Sequence, residues 1–215
     1  KTVVVKSLSL SFKKEMFQLF DAYYENVNEE KFYTDLNAKD KSIILEDREG
    51  ILRGFSTITE IQVKQGNKAI YGVFSGDTVI DSHFWGGTQL TMEFFKNVLR
   101  VKLRHPTSEV YWFLISKGFK TYLLLANNFK NYYPRFNKQT PQKHKDIIKA
   151  FAIDLYGDLF QEDKLIIKAS GNFDRLKDSV APITKEMMNK NPKIAFFNKK
   201  NPLWEQGDEL CCIGR

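Results

Sequence analysis

Cysteine is nearly absent from this sequence, and the two that occur, Cys211 and Cys212, are adjacent. Neighbouring strand residues point to opposite faces, so this pair cannot tie distant segments together, and a reducing compartment is expected. No apolar run approaches the ~20 residues of a membrane-spanning helix. No signal-peptide pattern stands at the start, where Lys1 in place of Met implies trimmed or missing residues, and a cytoplasmic location is expected. Three isolated histidines, His83, His105 and His144, make no metal-ligand spacing, and neither a Walker phosphate loop nor a Gly-x-Ser-x-Gly elbow occurs. Metal-centred and nucleotide-hydrolysing chemistries drop out. Internal repeats and low-complexity linkers are also missing, so nothing marks a domain boundary within the 215 residues.

What is present is an ordinary globular composition, 42% hydrophobic and 14% aromatic, with a formal charge of +7 carried mostly by lysine. The densest lysine runs span 138–149 and 190–200. Such a field suits nucleic acid, an anionic membrane surface or a phosphate-bearing cofactor, and equally describes a solvated lysine-rich surface.

Along the chain, Val3–Val5 reads as a short strand, and Phe12, Met16, Leu19, Phe20 and Tyr23 recur at helical spacing. Asn28 followed by Glu29 and Glu30 opens a second helix to about Leu36. Strands are expected over 42–46, 51–63 and 69–80, the last with a bulge, or a break into two strands, at Ser75-Gly76-Asp77-Thr78. Leu90, Phe94, Val98 and Val101 mark a helix that Pro106 stops, Val110–Ile115 a strand buried on both faces, and Tyr122–Phe129 a further helix after the Lys117-Gly118 break. Beyond these come a helix from Thr140-Pro141 carrying Ile147, Ile148, Phe151 and Leu155, a strand at 165–168 and a helix over 177–188. Late strands are expected at 194–197 and 209–213. The expected fold class is α/β, an α+β mixed sheet in one domain, with a core over 1–138 and an extension over 139–215 that completes the sheet.

This order of elements, with the stretch 79–90 reading Val-Ile-Asp-Ser-His-Phe-Trp-Gly-Gly-Thr-Gln-Leu, resembles the GNAT-type acyl-CoA N-acyltransferases. In that family the turn after the fourth strand reads Arg/Gln-x-x-Gly-x-Gly/Ala, opens the third helix, and holds the CoA pyrophosphate on backbone amides. Free amides and the helix dipole favour a phosphate, and glycine lets the backbone approach it. Here His83 stands at the Arg/Gln place, Gly86 at the first glycine and Thr88 at the second, so two of three fixed places are substituted. The resemblance implies a ligand loop of Val79, Ile80, His83, Trp85, Gly86, Gly87, Thr88 and Gln89, which binds acetyl-CoA or a longer acyl-CoA, or another thioester carrier.

A second likeness covers 110–135, where Tyr-Trp-Phe-Leu-Ile-Ser-Lys-Gly and then Tyr-Tyr-Pro-Arg are similar to a group of uncharacterised bacterial members of this superfamily. Family members carry an Asn on the fourth helix, here Asn128, and a Tyr beyond it that protonates the leaving thiolate. That implies Tyr133 first and Tyr132 second, either of which serves equally as a packed aromatic. An ammonium acceptor needs a base, and Asp77 beside the bulge ranks ahead of Asp81, His83 and Glu60, with a turn-forming role as its alternative. Transfer is expected to be direct, leaving Cys211 and Cys212 structural. The implied acceptor is a small-molecule or protein amine, and a homodimer is possible. Two competing readings stand: a non-catalytic module of this fold that binds nucleic acid or a protein, and an acyltransferase whose donor is acyl carrier protein or aminoacyl-tRNA.

Overall fold

The computed structural model describes residues 1–169, 174–177 and 182–215. In chain order the elements are β1 Thr2–Val4, α1 Leu10–Tyr23, β2 Tyr24–Glu25, α2 Glu29–Asn37, β3 Lys41–Glu46, β4 Leu52–Gln65 and β5 Lys68–Ile80. There follow α3 Gln89–Arg104, β6 Glu109–Ser116, α4 Phe119–Asn128, β7 Tyr132–Tyr133, α5 Gln142–Tyr156, β8 Phe160–Gln161 and β9 Ile166–Ile167. The chain closes with β10 Arg175–Leu176, α6 Lys185–Lys190, α7 Pro192–Lys200 and β11 Glu209–Gly214. Because the two-residue β2 intervenes, the fourth strand of the sequence reading is β5.

Local chemistry explains the helix starts. The Ser9 hydroxyl accepts a hydrogen bond from the Phe12 amide to open α1, and the Asn28 side chain accepts from Lys31 to open α2, whose first turn carries Glu29 and Glu30. The main sheet runs β1-β3-β4-β5-β6-β11-β9-β8, with β7 also on β11, and every pairing in it is antiparallel except β5 with β6. The mixed α/β class expected from the sequence is therefore the class observed.

Burial follows the two-residue period of the strands. Trp112, Leu114 and Cys212 face a cluster with Phe94 of α3, Tyr122 of α4 and Phe197 of α7, while Tyr111, Phe113, Cys211 and Ile213 face Ile147, Ile148 and Phe151 of α5. Helices α1 and α2 cover Ile44, Phe55 and Val79 with Met16, Phe20, Phe32 and Leu36. Burial pushes both cysteine thiols up, which disfavours the nucleophilic thiolate. Among the described residues no helix is long and apolar enough to cross a membrane.

Three expectations need correction. Residues 194–197 form part of α7 and not a strand: Asn191 accepts from the Lys193 amide, Pro192 takes the first helical position, and Ile194 and Phe197 bury one face three residues apart. The helix expected over 177–188 begins only at Lys185, capped by the Thr184 hydroxyl, and residues 178–181 of that stretch lie outside the described residues. Helix α4 starts at Phe119, directly after Gly118, and not at Tyr122.

Candidate functional site

The site originates in the bulge. Ser56 pairs with Thr78 and Ile58 with Ser75, so Gly76 and Asp77 of β5 together oppose Thr57 of β4. A Cβ at position 76 would stand 2.5 Å from the Thr57 hydroxyl and 3.2 Å from Lys39 Cε, so any side chain here must displace Thr57. The parallel ladder of β5 with β6 runs from Ile70 opposite Glu109 to Ser75 opposite Leu114 and stops there. Beyond it β5 stays with β4, β6 stays with β11, and the strands part around a cleft of about 970 Å³.

One wall of the cleft is the turn into α3. Asp81 accepts from the His83 amide at 3.1 Å and pairs with the His83 ring at 2.9 Å, contacts that hold its carboxyl below the usual range. The Trp85 indole donates to the Ile80 carbonyl at 2.8 Å, and the Tyr23 hydroxyl accepts from the Ser82 amide at 2.7 Å. Gly86 adopts φ +85°, a conformation that strains other residues. No side chain caps the helix that follows: Thr88 occupies the cap position without using its hydroxyl. The start of α3 thus offers backbone donors and the positive dipole end beside Gly86, Gly87 and Thr88, which line the cleft.

Of the residues singled out in the sequence, Asp77, Val79, Ile80, Trp85, Gly86, Gly87, Thr88 and Asn128 line this cleft, and Gln89 sits beside it as the first residue of α3. His83 does not line it, since its side chain is 87% exposed and turned to Asp81. Glu60 is bound to Lys41 and Arg104 away from the opening, and Asp81 is held by Arg53 and His83. Of the four proposed bases only Asp77 lines the cleft. Tyr132 and Tyr133 are both buried outside the cleft, because β7 pairs with β11 and carries them into the two core clusters.

The inner end of the cleft holds groups that spacing alone did not reveal. Lys117, at the end of β6, pairs with Asp174 and lies 3.6 Å from Glu209 of β11, with its ammonium 5.5 Å from the Tyr24 ring. Asp77, Tyr24 and Tyr156 complete this group. Burial pushes the Glu209 carboxyl up to about 7 against the pull of Lys117, with Asp174 and Asp77 adding to the rise. Burial likewise raises Asp77, and it keeps the Tyr24 and Tyr156 hydroxyls protonated. Burial opposes the Lys117 ammonium, but Glu209 and Asp174 outweigh it and hold its pKa above the ordinary lysine value. The only local signal for this cluster was a lysine directly after a strand buried on both faces.

No protein-family model matches the chain, and no curated protein matches it significantly. Among solved structures it is similar to a probable N-acyltransferase from Enterococcus faecalis, at 16% identity and a TM-score of 0.44, over 63% of this chain and 33% of that one. An acetyltransferase from Trypanosoma brucei is similar at 13% identity and 0.43, over 65% of this chain and 99% of the other. A GNAT family N-acetyltransferase from Escherichia coli in complex with CoA is similar at 11% identity and 0.40, over 59% and 69%. This chain therefore spans a third of the Enterococcus protein's length. The mixed sheet of this α/β fold is the fold class that the sequence resemblance to GNAT-type acyltransferases implied.

Proposed function

We propose that the protein transfers an acyl group from acetyl-CoA or a longer acyl-CoA directly to an amine, within the cleft between β5 and β6. One observation carries the reading: the uncapped N-terminus of a 16-residue helix opens beside two glycines onto a gap between diverging strands. These residues fit a pyrophosphate, because unpaired amides at a helix start bind phosphate and nothing stands within 4 Å of a Cβ position at Gly86, while Gln89 lies against Gly87. The backbone of 86–89 holds the pyrophosphate, Val79 and Ile80 flank the pantetheine arm, and Asn128 borders it from α4. The bound thioester supplies the activated acyl group.

The chain's own groups then handle two protons. Asp77, Asp174 and Glu209 draw an ammonium to the inner end, and Glu209, poised at about 7, takes a proton from it so that the nitrogen lone pair is free. A C–N bond forms as the C–S bond breaks, the departing sulfur takes a proton from a phenol, and the second proton that the nitrogen sheds on becoming an amide restores that phenol. Tyr24 and Tyr156 are the phenols that line the inner end, so the acid role that the resemblance implied for Tyr133 or Tyr132 passes to them. Release of free thiol from acetyl-, octanoyl- and palmitoyl-CoA, with and without a panel of primary amines, tests this. Amine-dependent release from at least one donor is expected, and no release together with no donor binding contradicts it.

A further inference from the structure

A second cavity, of about 530 Å³, lies at the other end of β6 and is lined by Tyr111, Asn131, Tyr133, His144 and Arg215. Tyr111 precedes Lys117 by six residues, which at ~3.3 Å per residue puts the cavity about 20 Å from the inner end of the cleft. Tyr133, displaced from the role its sequence suggested, is only 7% exposed, and its hydroxyl has no hydrogen-bond partner among the described residues. The Nδ1 atom of His144 is also buried without a partner, and the two rings stand 4.3 Å apart. A buried polar atom left unpaired, as His144 Nδ1 is, points to a missing partner.

The surroundings state what charge that partner carries. His144 belongs to the first turn of α5, a 15-residue helix whose cap residue, Pro141, offers no side-chain acceptor, so the positive dipole end lies here. Arg215 lines the cavity and shares one carboxylate, Glu109, with Lys143; Tyr111 also donates to Glu109, and Arg215 lies over the Tyr111 ring at 5.8 Å. Counting side chains alone, two cations and a helix start face one carboxylate. We infer that this cavity binds a small oxyanion, the phosphate or carboxylate group of a ligand, through Tyr133, His144 and Arg215. Burial and Lys143 hold His144 below its ordinary value, with Glu109 opposing and Arg215 and Lys138 reinforcing them. An anion at this point reverses that depression.

Proton–carbon NMR of the three histidine rings, titrated with pH in sodium phosphate, sodium acetate and matched sodium chloride, tests the inference. Phosphate or acetate is expected to raise the His144 pKa by about one unit while His83 and His105 hold still. Tyr133→Phe and Arg215→Gln are each expected to weaken the effect about tenfold, as loss of a charge-assisted hydrogen bond does. A larger shift with phosphate identifies a phosphoryl ligand, and a larger shift with acetate a carboxylate. A His144 titration insensitive to both anions, or three histidines moving together, overturns the proposal.

Discussion

Strands β5 and β6 are the same two strands at both ends of their run, yet the ends behave differently. Where the ladder is closed, the Glu109 carboxylate receives Lys143, Tyr111 and Arg215, and the Lys143 contact first of all holds its pKa low. Where the ladder is open, Asp77 and Glu209 are half-buried with Lys117 as the main opposing cation, and desolvation drives both upward. A carboxylate with several partners is committed to structure, whereas one with too few is available for proton transfer. The two-residue bulge at Gly76-Asp77 makes the difference, because it turns β5 away from β6 after Ser75.

That contrast can be broken by mutation, and the largest effect is expected at the open end. Glu209→Gln should lower kcat/KM by about 10²–10⁴, the usual weight of a general base, and remove the rise in rate near pH 7. An unchanged pH–rate profile would move the base elsewhere. Next in size, Phe151→Ala should cost about 3–5 kcal/mol, since this ring is fully buried and touches the position of Gly72 on β5. Urea unfolding should stay a single transition, as the single-domain proposal requires; two transitions would make residues 139–215 a separate unit.

Glu209 also predicts a pH dependence of stability. Its carboxyl titrates near 4.5 in the unfolded chain and near 7 when folded, so between these values the folded state holds more protons. Its contribution is therefore fully present below about 4.5 and is lost as pH rises through about 7, on the order of 3 kcal/mol. The Glu209→Gln variant should flatten that slope in urea titrations at pH 4.5 and 8. Smallest, Gly76→Val should cost about 1–3 kcal/mol through its clash with Thr57 and Lys39. If the variant proved as stable as the parent, the bulge would not depend on glycine.

The parts legible in the sequence are those with a local cause. The bulge showed as glycine inside an alternating strand, α3 as apolar residues at helical spacing before Pro106, and β6 as an unbroken apolar run, since each is set by neighbours a few residues apart. Ile194-Ala-Phe-Phe satisfies a strand and a helix alike, and the preceding Asn191-Pro192 was the signal for the helix. Tyr132 and Tyr133 were misplaced because their orientation depends on pairing with Ile213 and Gly214, some 80 residues later. Asp77 was legible from the bulge, but its company of Tyr24, Lys117, Asp174 and Glu209 was not, because five separate segments meet only after the sheet assembles.

The central claim, that the free amides opening α3 are a phosphate site, is best tested by proton–nitrogen NMR during titration with coenzyme A. Saturable shifts concentrated on the amides of 86–90, and weakened in Gly86→Val, are the predicted result. Resonances that stay in place at saturating coenzyme A, or shifts confined to surface lysines, would contradict it.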